Sequence, residues 1–361
     1  MPRDRAADQE HGAGEIGPGE IDAPLEAQVP QADLRERLER LPVGHPSSPR
    51  ASDDCRKPLP PDLAKFELPL PNEPAITEPD PKVDQRDTVE PLTDAEYAEH
   101  VQRVRDRLEQ ARADGLATDE QYTIDPDREI WSEDREALHD ATIDELYGRA
   151  VNVPTERRAI LAGGLPGAGK STVLDGYAGI DRSRFLTIDP DEIKEELAKR
   201  NLIPQVEDLS PMEASDLVHE ESSYIAKRLA RRAQADGKNV IWDVTMSSLA
   251  STQRRIKTLQ VGGYAKIDGI FVDIPTDTSQ ARATARHRIG QNEYRSGNGH
   301  GGRFVPPELI RNHNDPVWGS VNRRTFEEVK TLFSSWSIYD NSADARPPRL
   351  IDSSDPETET T

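Results

Sequence analysis

The apolar run Ala159-Ile160-Leu161-Ala162 leads, through Gly163, into Gly164-Leu165-Pro166-Gly167-Ala168-Gly169-Lys170-Ser171, and a helix-forming stretch follows to Tyr177. No other feature of the chain narrows its fold as far. The octapeptide fits the pattern G-x-x-x-x-G-K-[ST], whose glycines let successive backbone N–H groups curl around phosphate oxygens while the helix behind adds the positive end of its dipole. Gly164, Leu165, Pro166, Gly167, Ala168, Gly169, Lys170, Ser171 and Thr172 are therefore expected to hold the phosphates of a nucleotide. Lys170 would reach the β- and γ-phosphates and Ser171 would ligate magnesium. ATP with Mg2+ is the expected cofactor pair, and the loop by itself does not separate ATP from GTP.

A strand that feeds a phosphate loop needs parallel neighbours, and the sequence supplies them. Short apolar runs at Arg158–Ala162, Arg184–Ile188, Asn239–Val244, Ile267–Ile274 and Ser337–Tyr339 alternate with helical stretches near Lys170–Tyr177, Asp191–Arg200, Pro211–Asp236, Ser248–Gly262, Ser279–Ile289 and Arg324–Phe333. The fold class this implies is α/β, a P-loop NTPase-type parallel sheet with helices on both faces.

In such sheets ligands bind at the C-terminal ends of the strands. The second strand ends in Asp189-Pro190-Asp191, the third in Asp243-Val244-Thr245. Asp191 or Asp189 can act as the base that takes a proton from an attacking hydroxyl, or can cap the following helix. Asp243 can hold magnesium together with Ser171 or, with Thr245, contact substrate; a solvated charge at a strand end is the plainer alternative. Arg282, Arg286 and Arg288 follow the fourth strand, and Arg303 follows the run Ser296–Gly302, which reads either as a lid or as a flexible loop. Arginines so placed can stabilise a transferring phosphoryl group. His219 and Glu220 are weaker candidates for the acceptor side.

Charge divides the chain unevenly. Residues 1–150 hold 18 Lys and Arg against 37 Asp and Glu, which is −19 of the total −21. With 16 of the 29 prolines in residues 1–91, that segment is too polar to offset its chain entropy, and disorder is expected there, with a short helix at 32–41. Thr93-Asp94-Ala95-Glu96 then opens a helix to about Ala113, and a second runs from Ser132 to Ala150. The expected organisation is a disordered acidic tail over 1–91, a short helical appendage over 92–152, the P-loop kinase domain over 153–352, and a disordered C-terminal tail over 353–361. The acidity disfavours nucleic acid and anionic membranes as partners. A single cysteine, Cys55, rules out an internal disulfide, and no run approaches the ~20 apolar residues of a membrane span. A cytoplasmic protein is the expectation.

The phosphate loop, the Ile188-Asp-Pro-Asp191 segment, the acidic strand end followed by Thr245, and the spaced Arg286 and Arg303 together resemble the zeta toxin family of P-loop kinases, over about residues 155–345. That resemblance implies phosphorylation of a hydroxyl of UDP-N-acetylglucosamine by ATP and magnesium, and an antitoxin protein as partner. It makes Lys170 the phosphate lysine, Asp191 the catalytic base, and Arg286 and Arg303 the phosphate clamps. The family has Ile-Glu-Gly-Thr where this chain has Trp242-Asp243-Val244-Thr245, and some members carry an arginine where Met246–Ser248 stand here. A sugar-contacting glutamate of the family has no evident match, and Glu220 is the nearest substitute. Polynucleotide 5′-kinases share a similar loop and strand ends; that alternative needs a basic channel, for which Arg228, Arg231, Arg232, Arg254 and Arg255 are the candidates. A nucleotide-binding switch without catalysis is the third reading.

Overall fold

The computed structural model describes residues 90–355, apart from 127 and 345. Most of the expected N-terminal tail, its helix at 32–41 and the end of the C-terminal tail lie outside the described residues. Thr93 opens α1 (Asp94–Ala113) through a capping box: its hydroxyl accepts from the Glu96 amide, and the Glu96 carboxylate accepts from the Thr93 amide. Tyr97, His100, Val104, Leu108 and Ala111, three or four residues apart, form the buried face. A short helix α2 (Thr118–Tyr122) and a ribbon of β1 (Thr123–Asp125) with β2 (Ile130–Trp131) lead to α3 (Glu133–Gly148).

The α/β core follows in the order β3 (Arg158–Gly163), α4 (Lys170–Gly176), β4 (Leu186–Ile188), α5 (Pro190–Lys199), α6 (His219–Ala235), β5 (Val240–Asp243), α7 (Leu249–Val261), β6 (Lys266–Asp273) and α8 (Thr276–Arg295). After it come α9 (Pro307–Arg311), the ribbon β7 (Asn314–Asp315) with β8 (Gly319–Ser320), α10 (Val321–Val329), β9 (Ser335–Asp340) and β10 (Arg349–Ser353). The main sheet runs β10-β9-β6-β3-β5-β4, parallel except for the edge strand β10. All five expected strands are present, and β10 is an addition that carries the sheet into the expected C-terminal tail. Alternate residues of β3 feed two cores, as a period of two requires: Ala159 and Leu161 face one, Ile160 and Ala162 the other.

Register fixes what meets at the C-terminal edge. Ala162 lies opposite Asp243, and Ile188 opposite Trp242, so the residue after β4, Asp189, emerges beside Asp243 and next to the start of the phosphate loop. The helix expected from Pro211 is divided: a 3-10 turn at Ala214–Val218 precedes α6. Glu213 accounts for the break, because its carboxylate turns inward and accepts from the amide and hydroxyl of Ser210.

Two buried carboxylates fasten the N-terminal helices to the core. Glu213 meets His100 of α1 at 2.5 Å and His287 of α8 at 2.9 Å, while the Tyr97 hydroxyl lies 2.7 Å from the other ring nitrogen of His287. Glu221 of α6 accepts from Arg135 at 2.6 and 2.8 Å and lies 2.7 Å from His139, both on α3. Burial pushes the Glu213 carboxyl up, but the hydrogen bonds from His100, His287 and the Ser210 amide outweigh it and hold it down at about 2. The Glu221 carboxyl is likewise lowered despite its burial.

Removing one partner of a buried pair strands the other. Glu221→Ala is expected to cost roughly 3–5 kcal/mol in urea unfolding, because Arg135 and His139 lose their counter-charge. Since the folded pKa of Glu213 lies below its unfolded value of 4.5, its contribution is complete above that value and is lost as pH falls toward about 2. The stability gap between wild type and Glu213→Gln, followed by thermal unfolding, should therefore close on acidification through that window.

Candidate functional site

The phosphate loop is built where side chains cannot intrude. Gly164 has φ +147°, and a Cβ there would lie 2.5 Å from the Val272 carbonyl oxygen at the end of β6. Gly167 and Gly169 take φ of +72° and +82°, conformations that other residues rarely adopt. Leu165 is buried and anchors the loop in the core, whereas Thr172 faces a neighbouring depression beside Tyr177 and Asn341. Side chains from elsewhere hold the loop carbonyls: Ser279 donates to Pro166 at 2.6 Å, Asn341 to Ala168 at 2.7 Å, and Arg282 to Gly167 at 3.3 Å. With its carbonyls engaged outward, the loop is free to offer N–H groups to a ligand.

The cleft over the loop has two lobes. One, about 750 Å3, contains Gly167 to Ser171, Arg286 and the segment Gly299–Arg303. The other, about 460 Å3, runs between the start of α7, α5 and the segment from Phe304 to His313. Lys170, Asp189, Asp191, Asp243, Thr245 and Arg303 line both, and so sit at the junction.

There the Lys170 ammonium lies 3.2 Å from Asp243, and Arg303 forms an ion pair with Asp191. Asp189 is the helix cap: its Oδ1 accepts from the Asp191 amide at 2.8 Å, which leaves the Asp191 carboxylate free of that duty. Burial, and then the charge of Asp243, push the Asp189 carboxyl up to about 7. Lys194, one turn along α5, is buried with its Nζ 3.6 Å from Asp191 and 3.5 Å from His219. Burial lowers the pKa of Lys194 and of His219.

The arginines divide by role. Arg286 is exposed and has no carboxylate partner among the described residues, so it is available to phosphate. Arg282 is spent on Asp344 at 2.8 Å and on the Asn341 carbonyl at 2.9 Å, bracing the loop. Arg288 pairs with Asp94 at 2.6 Å, away from the cleft. The segment expected as a lid or a flexible loop is seated at its C-terminal end: Met212 donates to the His300 carbonyl at 2.9 Å, and Gly302 lies so close to the His287 backbone that no side chain fits. Glu220 is exposed and lines neither lobe; on that wall stand Asp216, His219 and Ser223. Ser279 and Asn341 gave no sequence signal, whereas Lys194 could have been found from its helical spacing to Asp191. Arg228, Arg231 and Arg232 turn to Glu136, Asp140, Glu129 and Asp144 instead of forming a channel.

Magnesium fits the donors present. Ser171, Asp243 and Asp189 offer only oxygen ligands and line the same lobe as the phosphate loop.

A P-loop at the C-terminal edge of a largely parallel sheet, with acids and arginines converging on it, defines a nucleotide-dependent phosphotransferase fold. The zeta toxin family model matches residues 144–344, more than half of the chain, and the chain belongs to the zeta toxin family of kinases. A comparison with the curated proteins finds no match. Among solved structures, a chain of the AvrRxo1-ORF1:-ORF2 complex with ATP shares 16% identity over 66% of this chain and 76% of its own, with a TM-score of 0.51. A chain from the PezAT chromosomal toxin-antitoxin system of Streptococcus pneumoniae shares 18% over 61% and 82%, with a TM-score of 0.44. At 16% identity the likeness to the first is one of fold. No helix among the described residues is long and apolar enough to cross a membrane.

Two outcomes follow. Gly164→Ala should leave the circular dichroism unchanged and cut phosphoryl transfer by about 100-fold, because the loop must shift to clear Val272. Because the folded pKa of Asp189 lies above its ordinary 3.8, its ionisation costs stability as pH rises toward and through about 7. Thermal unfolding without magnesium should show Asp189→Asn gaining on wild type between pH 5 and pH 8, and added Mg2+ should narrow that gap.

Proposed function

We propose that this protein is an ATP- and magnesium-dependent kinase that phosphorylates a hydroxyl of a small molecule, with UDP-N-acetylglucosamine as the leading acceptor. One observation carries the reading: Asp191 stands at the junction of a phosphate lobe and a second lobe of substrate size. A nucleotide seated on the loop presents its terminal phosphoryl group toward that junction. A hydroxyl entering from the other lobe meets a carboxylate that has no capping bond to break.

In this reading Asp191 takes the hydroxyl proton as the acceptor oxygen attacks the γ-phosphorus and the bond to the β-phosphate oxygen breaks. Lys170 and Arg286 hold the phosphates through the transfer. Arg303 is shared: an arriving phosphoryl group competes with Asp191 for its guanidinium, so that the clamp engages as the base is released. Ser171 and Asp243 would hold magnesium, with Asp189 behind them; the ion supplies neutralisation of the phosphate charge when bound. Thr245 remains a candidate contact for the acceptor. The acceptor contributes the finer part of the proposal, since it rests on family membership and on the size of the second lobe. Family membership also makes an antitoxin protein the partner to seek, and the reading of ATP with a sugar nucleotide supports a cytoplasmic reaction.

Of the five arginines that the polynucleotide alternative needs, Arg228, Arg231 and Arg232 are paired with acids, and of the five only Arg255 lines the second lobe. The switch alternative is separated by mutation. Incubation with γ-labelled ATP and magnesium should transfer label to UDP-N-acetylglucosamine and none to a 5′-hydroxyl oligonucleotide. Asp191→Ala and Asp191→Asn should lower turnover by about 10²–10⁴-fold with ATP affinity retained. Near-normal turnover in both would remove Asp191 from the base role.

A further inference from the structure

In the second lobe stands a cation without an ion pair among the described residues. Arg255, on α7, stacks its guanidinium over the Trp242 indole at 4.4 Å. Among the described residues it makes no hydrogen bond and no ion pair. The other partly buried arginines differ: Arg135 meets Glu221, Arg282 meets Asp344, Arg303 meets Asp191, and Arg323 meets Asp273 and Glu327. Partial burial lowers the Arg255 pKa to about 10, while its nitrogens still open onto the lobe. A half-buried guanidinium with no ion pair is open to an anion that enters the lobe.

The surroundings favour an anion from outside. Ser251 precedes Arg255 by one helical turn on the same face of α7, and Ser248 caps the helix, so that hydroxyls and the positive helix end face the same lobe as the guanidinium. The Nδ1 of His313, which lines the same lobe, is buried without a hydrogen-bond partner. Asp216, the nearest acid of that wall outside the junction, is occupied by Arg112.

We propose that Arg255 is the anchor for an anionic group of the acceptor, which makes the acceptor a hydroxyl compound that already carries phosphate, held by Arg255 at one end and presented to Asp191 at the other. The inference rests on the reading of the second lobe as the acceptor lobe. The Trp242 face keeps the guanidinium flat, with its edge N–H groups free for two phosphate oxygens. An uncharged sugar would leave that charge unpaired and is rejected for the same physical reason. Arg255 here is a specificity residue; it takes no part in moving the proton or the phosphoryl group.

The test uses the full chain with the phosphate lobe saturated by ADP and magnesium. Inorganic pyrophosphate, UDP-N-acetylglucosamine and uncharged N-acetylglucosamine are each titrated by calorimetry against wild type, Arg255→Gln and Arg255→Lys. The two phosphorylated probes should bind wild type, weaken by about tenfold or more in Arg255→Gln, and recover in part in Arg255→Lys, with ADP affinity unchanged in all three as the measure of an intact fold. N-acetylglucosamine should bind none of them measurably. Equal binding of pyrophosphate to wild type and Arg255→Gln, or no binding to wild type, overturns the anchor. If pyrophosphate binding depends on Arg255 while no label from ATP reaches UDP-N-acetylglucosamine, the anchor stands and the sugar nucleotide falls as the acceptor.

Discussion

Two neighbouring strand ends approach the start of the phosphate loop so closely that only hydrogen fits there. A Cβ on Gly163 would strike the Met246 side chain, and one on Gly164 would strike the carbonyl of Val272. The start of the loop is thereby wedged between the Met246 side chain, beyond β5, and the end of β6. Its wedged position sets where Lys170 projects, and hence where the charges of Asp189 and Asp243 can be met. The register of three strands, the acids at the ends of β4 and β5 and the Lys170 ammonium beside Asp243 are one arrangement.

Much of this was legible in the sequence because it is local. The phosphate loop is a contiguous motif, Asp189 and Asp243 each end an apolar run, and Thr93 with Glu96 is a contiguous cap. What escaped was set by distance in the chain. Ser279 and Asn341 brace the loop from more than a hundred residues away, and nothing near either of them hints at it. Arg282 and Arg286 share a helix face, yet one is consumed by Asp344 while the other stays available, a difference fixed by the path of the chain after β9. The break before α6 likewise depends on two histidines that Glu213 meets only in the folded protein. Glu220 lies outside the cleft, while its neighbour His219 lines it. The arginines of α6 read as a basic stripe in the sequence, but α3 neutralises them.

The N-terminal helices are joined to the kinase by charge and hydrogen bonding as much as by apolar packing. α3 presents Arg135 and His139 to Glu221, and α1 presents His100 and Tyr97 to Glu213 and His287. Such contacts are demanding, since each member must arrive before the others are satisfied. They also connect α1 to the helix that carries Arg286 and to the backbone against which Gly302 is seated.

The family match begins at residue 144, inside α3, yet the carboxylates that need His100, Arg135 and His139 lie within the matched region. The piece that carries the chemistry is therefore stabilised by residues that precede it. A chain cut at the family boundary would keep every residue of the cleft and leave two acids buried in its interior with part or all of their counter-charge gone. In this protein the limits of the enzyme are drawn by electrostatic debts of the interior, and they fall some fifty residues before the limits drawn by its active site.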